Sequence, residues 1–331
     1  MCAGIQADES DSVTGSNKDK PENAPLVIEN WLKGGGPTNN VVVQRIDEEP
    51  DSDLYRSLSG DTIESASTAE TLLFSEDVAK ILFRRSVRSL CGGAIRHFRT
   101  VIESKGLICA VFDEIRCVSA GRYLTGPVWH IEAETHPVTD TSGILMIRGR
   151  SQMGLAPIGP KESTRLELVD GPDAPPKDAK AHAFLLEVFD LTESDSANFG
   201  SVFFPIGKQF PEARPLVPET GGIGMAYLEG YSVRVVASGQ TGTVSEYGPV
   251  RTDASCFFAG DRGTTMYIHF VNATTVSAFA RTVVREVRLD GKVLDREAWR
   301  FAKGRVILEW PAPRTGVIAI VTSPTLLPKD E

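Results

Sequence analysis

The residues best suited to chemistry in this chain are two imidazoles and two carboxylates within the run Val128-Trp-His-Ile-Glu-Ala-Glu-Thr-His136. In an extended strand alternate side chains share a face, so His130, Glu132, Glu134 and His136 would project together while Trp129, Ile131 and Ala133 turn into the core. Nitrogen and carboxylate donors of this kind suit a divalent metal. The outer two, however, lie roughly 20 Å apart at about 3.3 Å per residue, so one ion cannot reach all four. The spacing favours a solvated strand face over a metal centre, and no metal or other cofactor is expected.

Other chemical patterns are weaker. Gly221-Gly-Ile-Gly224 precedes a strand-like run, whereas a dinucleotide loop follows a strand and opens a helix whose N–H groups face the pyrophosphate. No Gly-x-Ser-x-Gly elbow occurs, and the five histidines (97, 130, 136, 182 and 269) have no partner pattern close in sequence, so no catalytic residue is assigned. A triad assembled at long range stays open. Trp129, Trp299 and Trp310 with Phe203, Phe204, Phe257 and Phe258 could stack sugars or bases, but their places in alternating runs suit a core. Cysteines 2, 91, 109, 117 and 256 form no Cys-x-x-Cys pair, so neither a zinc site nor a disulfide framework is suggested. Reduced thiols fit an intracellular place of synthesis.

The elements that would hold such residues are strands. Strand-like runs fall at 94–103, 107–118, 127–136, 143–149, 163–169, 183–190, 201–206, 224–237, 255–259, 265–272, 282–289, 292–294, 305–310 and 316–322, separated by Gly, Pro, Asp and Ser clusters. Asp290-Gly291 reads as a two-residue hairpin turn and Lys303-Gly304 as another tight connection. Asp170 to Asp178 reads as a long surface loop. One helix is expected from Ser75: Ser75 can cap it, Glu76 and Asp77 sit in its first turn, and Val78, Ile81 and Leu82 give an apolar face. Arg84, Arg85 and Arg88 would complement its carbonyl end and Gly92-Gly93 would stop it. The pattern predicts a mainly β chain: a jelly-roll-like antiparallel β-sandwich over 75–331 with one short helix.

Charge divides the chain. Residues 1–75 carry 14 Asp and Glu against five Lys and Arg, so the whole formal net charge of −9 lies there and the remainder is balanced. Residues 1–74 read as an acidic, largely extended or disordered N-terminal arm. Its sign is opposite to that of a phosphate-neutralising tail, so the arm is not expected to bind nucleic acid directly. Within it Leu26, Val27, Ile28, Trp31 and Leu32 form an apolar island before Gly34-Gly35-Gly36-Pro37, and this island is expected to dock on a partner subunit during assembly. No apolar run is long enough to cross a bilayer as a helix, and no membrane partner is expected.

The segment Ser75-Glu-Asp-Val-Ala-Lys-Ile-Leu-Phe-Arg-Arg85 followed by Leu90-Cys-Gly-Gly-Ala-Ile-Arg-His-Phe-Arg99 resembles picorna-like virus capsid proteins, in which a short helix rich in Leu and Arg precedes a strand with Gly, a small residue and Ile-Arg. The resemblance implies an eight-stranded jelly roll acting as a structural, non-enzymatic shell subunit of an icosahedral capsid. Its partners would be copies of itself and other coat subunits, in a virion assembled in the host cytoplasm. The competing expectation is a carbohydrate-binding or carbohydrate-active β-sandwich protein, soluble in the cytoplasm. Particle size in solution separates the two.

Overall fold

A computed structural model describes residues 41–46, 68–75, 81–104, 107–138, 143–160, 166–170, 180–206, 212–219, 221–229, 232–239, 242–280 and 282–326. The strands, in chain order, begin with β1 (Val41–Arg45), β2 (Thr68–Ser75), β3 (Ile81–Leu90), β4 (Ile95–Ser104), β5 (Ile108–Cys117), β6 (Gly121–Ile131), β7 (Glu134–Pro137) and β8 (Ile144–Arg148). They continue with β9 (Ser151–Ile158), β10 (Glu167–Asp170), β11 (Ala181–Phe184), β12 (Glu187–Leu191), β13 (Ser196–Pro205), β14 (Ala213–Leu216), β15 (Ile223–Glu229) and β16 (Ser232–Ser238). The last are β17 (Ser245–Tyr247), β18 (Val250–Thr252), β19 (Cys256–Arg262), β20 (Thr265–Phe279), β21 (Thr282–Leu289), β22 (Lys292–Val293), β23 (Arg300–Ala302) and β24 (Arg305–Leu326). All pairings between them are antiparallel, as the sequence pattern predicts.

The strands form three sheets that stack as a sandwich. The central one runs β2-β3-β4-β5-β13-β9-β8-β7. One of its faces, carrying Ile81, Phe83, Ile102, Phe112, Val202 and Phe204, packs on Ile223, Met225, Val236, Cys256 and Phe258 of the C-terminal sheet. Its other face packs on a five-stranded sheet, β1-β6-β11-β10 with β12 beside β6, through Trp129, Ile131, Tyr123, Ala183 and Leu185. A sheet buried on both faces needs apolar residues at consecutive positions rather than alternate ones, which is why Ile108-Cys-Ala-Val-Phe112 is buried throughout.

The C-terminal sheet closes over its own core. Bulges in β20 between Phe270 and Thr275 interrupt the ladder with β24, and the buried Asp253 carboxylate accepts the backbone N–H groups of Thr274 and Thr275 at 2.9 Å. This fastens the bend, since a bulge leaves donors off the ladder that need another acceptor. Beyond it Val276, Ala278, Val306 and Leu308 share one cluster with Val235, Phe257, Ile268 and Ile318.

Two turns form as expected. Asp290-Gly291 and Lys303-Gly304 have positive φ at both residues (50° and 78°, 50° and 70°), the geometry that two-residue hairpin loops require. The expected helix does not form: Thr68–Ser75 and Ile81–Leu90 pair as a hairpin. The reason is burial on both sides. Ile81, Leu82 and Phe83 are all buried, and a short apolar run flanked by polar residues fits one turn of helix or a two-sided strand equally well. Two pieces of the segment read as an arm are strands of the sandwich, β1 and β2, so the border drawn between residues 74 and 75 falls inside β2. The island Leu26, Val27, Ile28, Trp31 and Leu32 lies outside the described residues.

Candidate functional site

The face proposed from sequence over 128–136 is not assembled as expected. The strand breaks after Ile131, and Glu134 and His136 belong to β7, paired with each other at 3.1 Å and exposed. His130 is buried, not solvated, and this overturns its reading as a surface residue. It stands directly across from His182 of β11, with Nδ1 to Nδ1 2.6 Å apart. One Nδ1 must carry a proton and the other must be bare for this contact to be a hydrogen bond. The alternation was correct, but the outer face of the five-stranded sheet is itself covered: Val42, Val128 and Phe184 beside the pair are also buried. Among the described residues no group of three or more His, Cys, Asp or Glu side chains could hold a metal ion.

A second histidine sits in a buried polar network that sequence reasoning missed. On the face of the central sheet turned toward the five-stranded sheet, Asp113 of β5 accepts from Arg99 of β4 at 2.7 and 3.0 Å and from His97 Nε2 at 2.7 Å. Arg88 of β3 stands across from His97. The Arg99 guanidinium lies 5.4 Å from the Trp129 ring centre, and the Trp129 indole N–H donates to Ser201. All are buried. Burial alone would raise the Asp113 pKa, but the Arg99 charge and the His97 hydrogen bond more than offset it and hold the carboxyl well below its usual range. Burial lowers His97 despite the pull of Asp113, and its Nε2 carries a proton, because the carboxylate can only accept. The signal was present in sequence: Asp113 interrupts the apolar run Ile108 to Phe112, and a charge at a two-sided core position must be paired.

The opposite face of the same strands floors a cleft of about 730 Å³ between the central and C-terminal sheets. Glu70, Arg85, Phe98, Glu114, Arg116 and Asn198 line one wall, and Ile223, Ser238, Ser255 and Cys256 line the other. Phe98 organises the wall, with the Arg85 and Arg116 guanidinium groups 5.0 and 4.8 Å from its ring centre. Glu114 accepts from Arg116 at 2.5 and 3.0 Å, and Arg85 approaches its other oxygen at 3.7 Å. Arg85 Nε is buried without a hydrogen-bond partner. Cys256 at the back is inert as a nucleophile, since burial pushes its thiol up to about 12. The buried Asp113 clamp thus braces β4 and β5, whose alternate residues Phe98 and Glu114 line the cleft.

His269 of β20 is the remaining buried imidazole, standing across from Phe258. Burial lowers its pKa to about 4, only partly offset by the Phe258 backbone. A folded-state value below the ordinary 6.5 means that the unfolded chain takes up a proton first as pH falls, so the stability present at neutral pH is lost between pH 6.5 and about 4. The loss from this group should be about 3 kcal/mol. Urea unfolding at pH 7 and 4.5 should show His269→Leu losing much less stability on acidification than the parent chain. Equal losses in both would show that His269 does not carry the effect.

The Gly221-Gly-Ile-Gly224 motif has a packing role: a Cβ at Gly222 would lie 2.4 Å from the Tyr247 hydroxyl and one at Gly224 3.1 Å from its ring.

No family model and no curated protein matches the chain. Among solved structures, a heparinase III with methylated lysines aligns with 59% of this chain and 27% of its own at 10% identity and a TM-score of 0.37. A heparan sulfate lyase from Pedobacter heparinus aligns with 54% of this chain and 31% of its own at 14% identity and the same TM-score of 0.37. The chain therefore spans about a third or less of the length of these neighbours. At that level the likeness bears on neither ancestry nor activity.

Proposed function

We propose that this protein is a saccharide-binding β-sandwich and that the cleft between its central and C-terminal sheets is the binding site. The observation that carries the reading is the composition of the cleft wall. Its size falls within the roughly 300–1,000 Å³ of small-ligand sites. Arg85 and Arg116 stand with Glu70 and Glu114 in it, while Asp113, which also borders it, has its carboxylate turned to the other face and paired with Arg99, so the charges that face the cleft balance and recognition rests on directional hydrogen bonds rather than on net attraction. A sugar hydroxyl both donates and accepts, and adjacent carboxylate and guanidinium groups answer both. Asn198, Ser238 and Ser255 add neutral partners.

The shell-subunit expectation draws on a segment whose helix is a strand in this fold, and no feature of the cleft favours it. A glycan array followed by calorimetry tests the saccharide reading. Asn198→Ala and Arg116→Ala should each weaken binding by about tenfold, the scale of one well-placed hydrogen bond to a charged or amide group. Added salt should change affinity little. Absence of binding to any arrayed glycan, or affinity unaltered in both variants, would sink the reading. A large homogeneous particle in solution would restore the shell.

A further inference from the structure

Taking the cleft as the saccharide site put forward above, we propose that it holds an internal stretch of a linear, neutral polysaccharide, about four sugar units laid across the strands of the central sheet.

One wall of the cleft is a band of residues that crosses five neighbouring strands. Val87, Phe98, Glu114 and Asn198 stand in direct register on β3, β4, β5 and β13. Glu70 of β2 stands opposite Arg85, the next residue of β3 on the same face. All of them line the cleft. Four strand spacings of about 4.8 Å make this band roughly 19 Å long from β2 to β13. The other wall is one end of the C-terminal sheet, where Ile223, Ser238 and Cys256 are themselves in register across β15, β16 and β19. This wall runs alongside the band and not across it, because the two sheets stack with their strand orders in step: β15 packs on β13, β16 on β5 and β20 on β2. The cleft is therefore a trough whose long axis crosses the strands.

Both ends of the trough reach solvent. Among the described strands β2 is the last of the central sheet, and Glu70 on it is exposed. At the far end β9 pairs with β13 only from Gly200 onward, so at the level of Asn198 the paired strands stop at β13, and Ser194 and Ser196 there are exposed. A site for a chain terminus needs a blocked end, whereas a polymer laid in this trough leaves at both. A pyranose unit advances about as far as one strand spacing, roughly 5 Å, so the trough spans about four units. Successive units meet hydrogen-bonding groups along its whole length, from Glu70 through Arg85 and Glu114 to Asn198 on one wall and at Ser238 and Ser255 on the other. The two serine hydroxyls donate to the Ser255 and Val271 carbonyls, which leaves their oxygen lone pairs for sugar hydroxyls.

Cello- and xylo-oligosaccharides of two, four and six units test this by titration calorimetry on the full chain, with hydroxyethyl cellulose and arabinoxylan as the matching polymers. In one series affinity should rise about tenfold or more from two units to four and change less than about twofold from four to six. The matching polymer should bind, since no free chain end is needed. Glu70→Gln and Asn198→Ala, at opposite ends of the trough, should each weaken the tetrasaccharide by about tenfold. A disaccharide cannot reach both ends, so no more than one of the two substitutions should weaken it. Glu70 is exposed and Asn198 half-buried, so melting should be unchanged in both variants. The proposal falls, with the saccharide reading intact, if the disaccharide binds as tightly as the hexasaccharide, if the polymer is not bound, or if Glu70→Gln binds the tetrasaccharide as the parent does. It falls in the same way if neither series binds while the glycan array finds another ligand that Asn198→Ala weakens. An array with no ligand at all overturns the saccharide reading and this one with it.

Discussion

Asp113→Ala is expected to destabilise the domain by about 3–5 kcal/mol, the usual consequence of removing one partner from a buried ion pair. The carboxylate holds two strands by accepting from Arg99 and His97, and all three side chains are at most 3% exposed. Its removal takes away the carboxylate to which Arg99 donates twice and leaves Arg99 near Arg88, a like charge that already depresses the Arg88 pKa after burial itself. It also strips the His97 Nε2–H of its acceptor. Paired replacement by apolar residues of similar volume, Asp113→Leu with Arg99→Met, should recover much of the loss, because neither charge is then stranded. Equilibrium urea unfolding of the parent, the single and the double variant measures all three terms. A single variant within about 1 kcal/mol of the parent would show that solvent reaches the network and that it is not a clamp.

This network also marks how far the sequence could be read. Strand positions were legible because turns carry local signals: Asp290-Gly291 and Lys303-Gly304 needed no partner to be recognised. Strand order was not, since β13 enters between β5 and β9 and nothing near residues 196–205 encodes that neighbour. The same limit hid the cleft. Phe98 and Glu114 become cross-strand partners only once β4 and β5 pair, while Ser238 and Ser255 reach them from another sheet. Burial on both sides of the strands underlies two errors: Ile81-Leu-Phe83 reads as the apolar face of a helix, and alternation at His130 reads as a sheet with one wet face, whereas these strands are covered on both. The single long strand read over 224–237 is a hairpin of β15 and β16, and the two read at 305–310 and 316–322 are one, β24. In the first, Glu229-Gly-Tyr-Ser232 held a turn signal in its glycine that a continuous β pattern masked.

Gly126→Ala is expected to be the most damaging alanine substitution among the described glycines. β11 and β12 lie along one edge of β6 in a single register, Phe184 opposite Val128 and Glu187 opposite Thr125. Leu185-Leu186 join them and run beside Gly126-Pro127, with Leu185 donating its N–H to the Pro127 carbonyl at 3.0 Å. The approach is so tight that a Cβ on residue 126 would lie 1.9 Å from the Leu185 carbonyl oxygen and 2.9 Å from its carbon. Both obstacles are backbone, so no side chain can turn aside. The φ of +154° is also one that L-residues rarely adopt. Relief requires moving Leu185, which is fully buried with Val41, Val43, Tyr123 and Phe199, and that opens the core between the five-stranded and central sheets. A loss above about 4 kcal/mol is expected, in the range reached only when packing and backbone fail together. Gly149→Ala is the control. Its φ of +62° is equally left-handed, but nothing lies within 4 Å of the added carbon, so it should cost only about 1 kcal/mol. Urea midpoints for the two variants decide the matter: if Gly126→Ala unfolds at the same midpoint as Gly149→Ala, the Leu185 backbone does not lie against residue 126 as described.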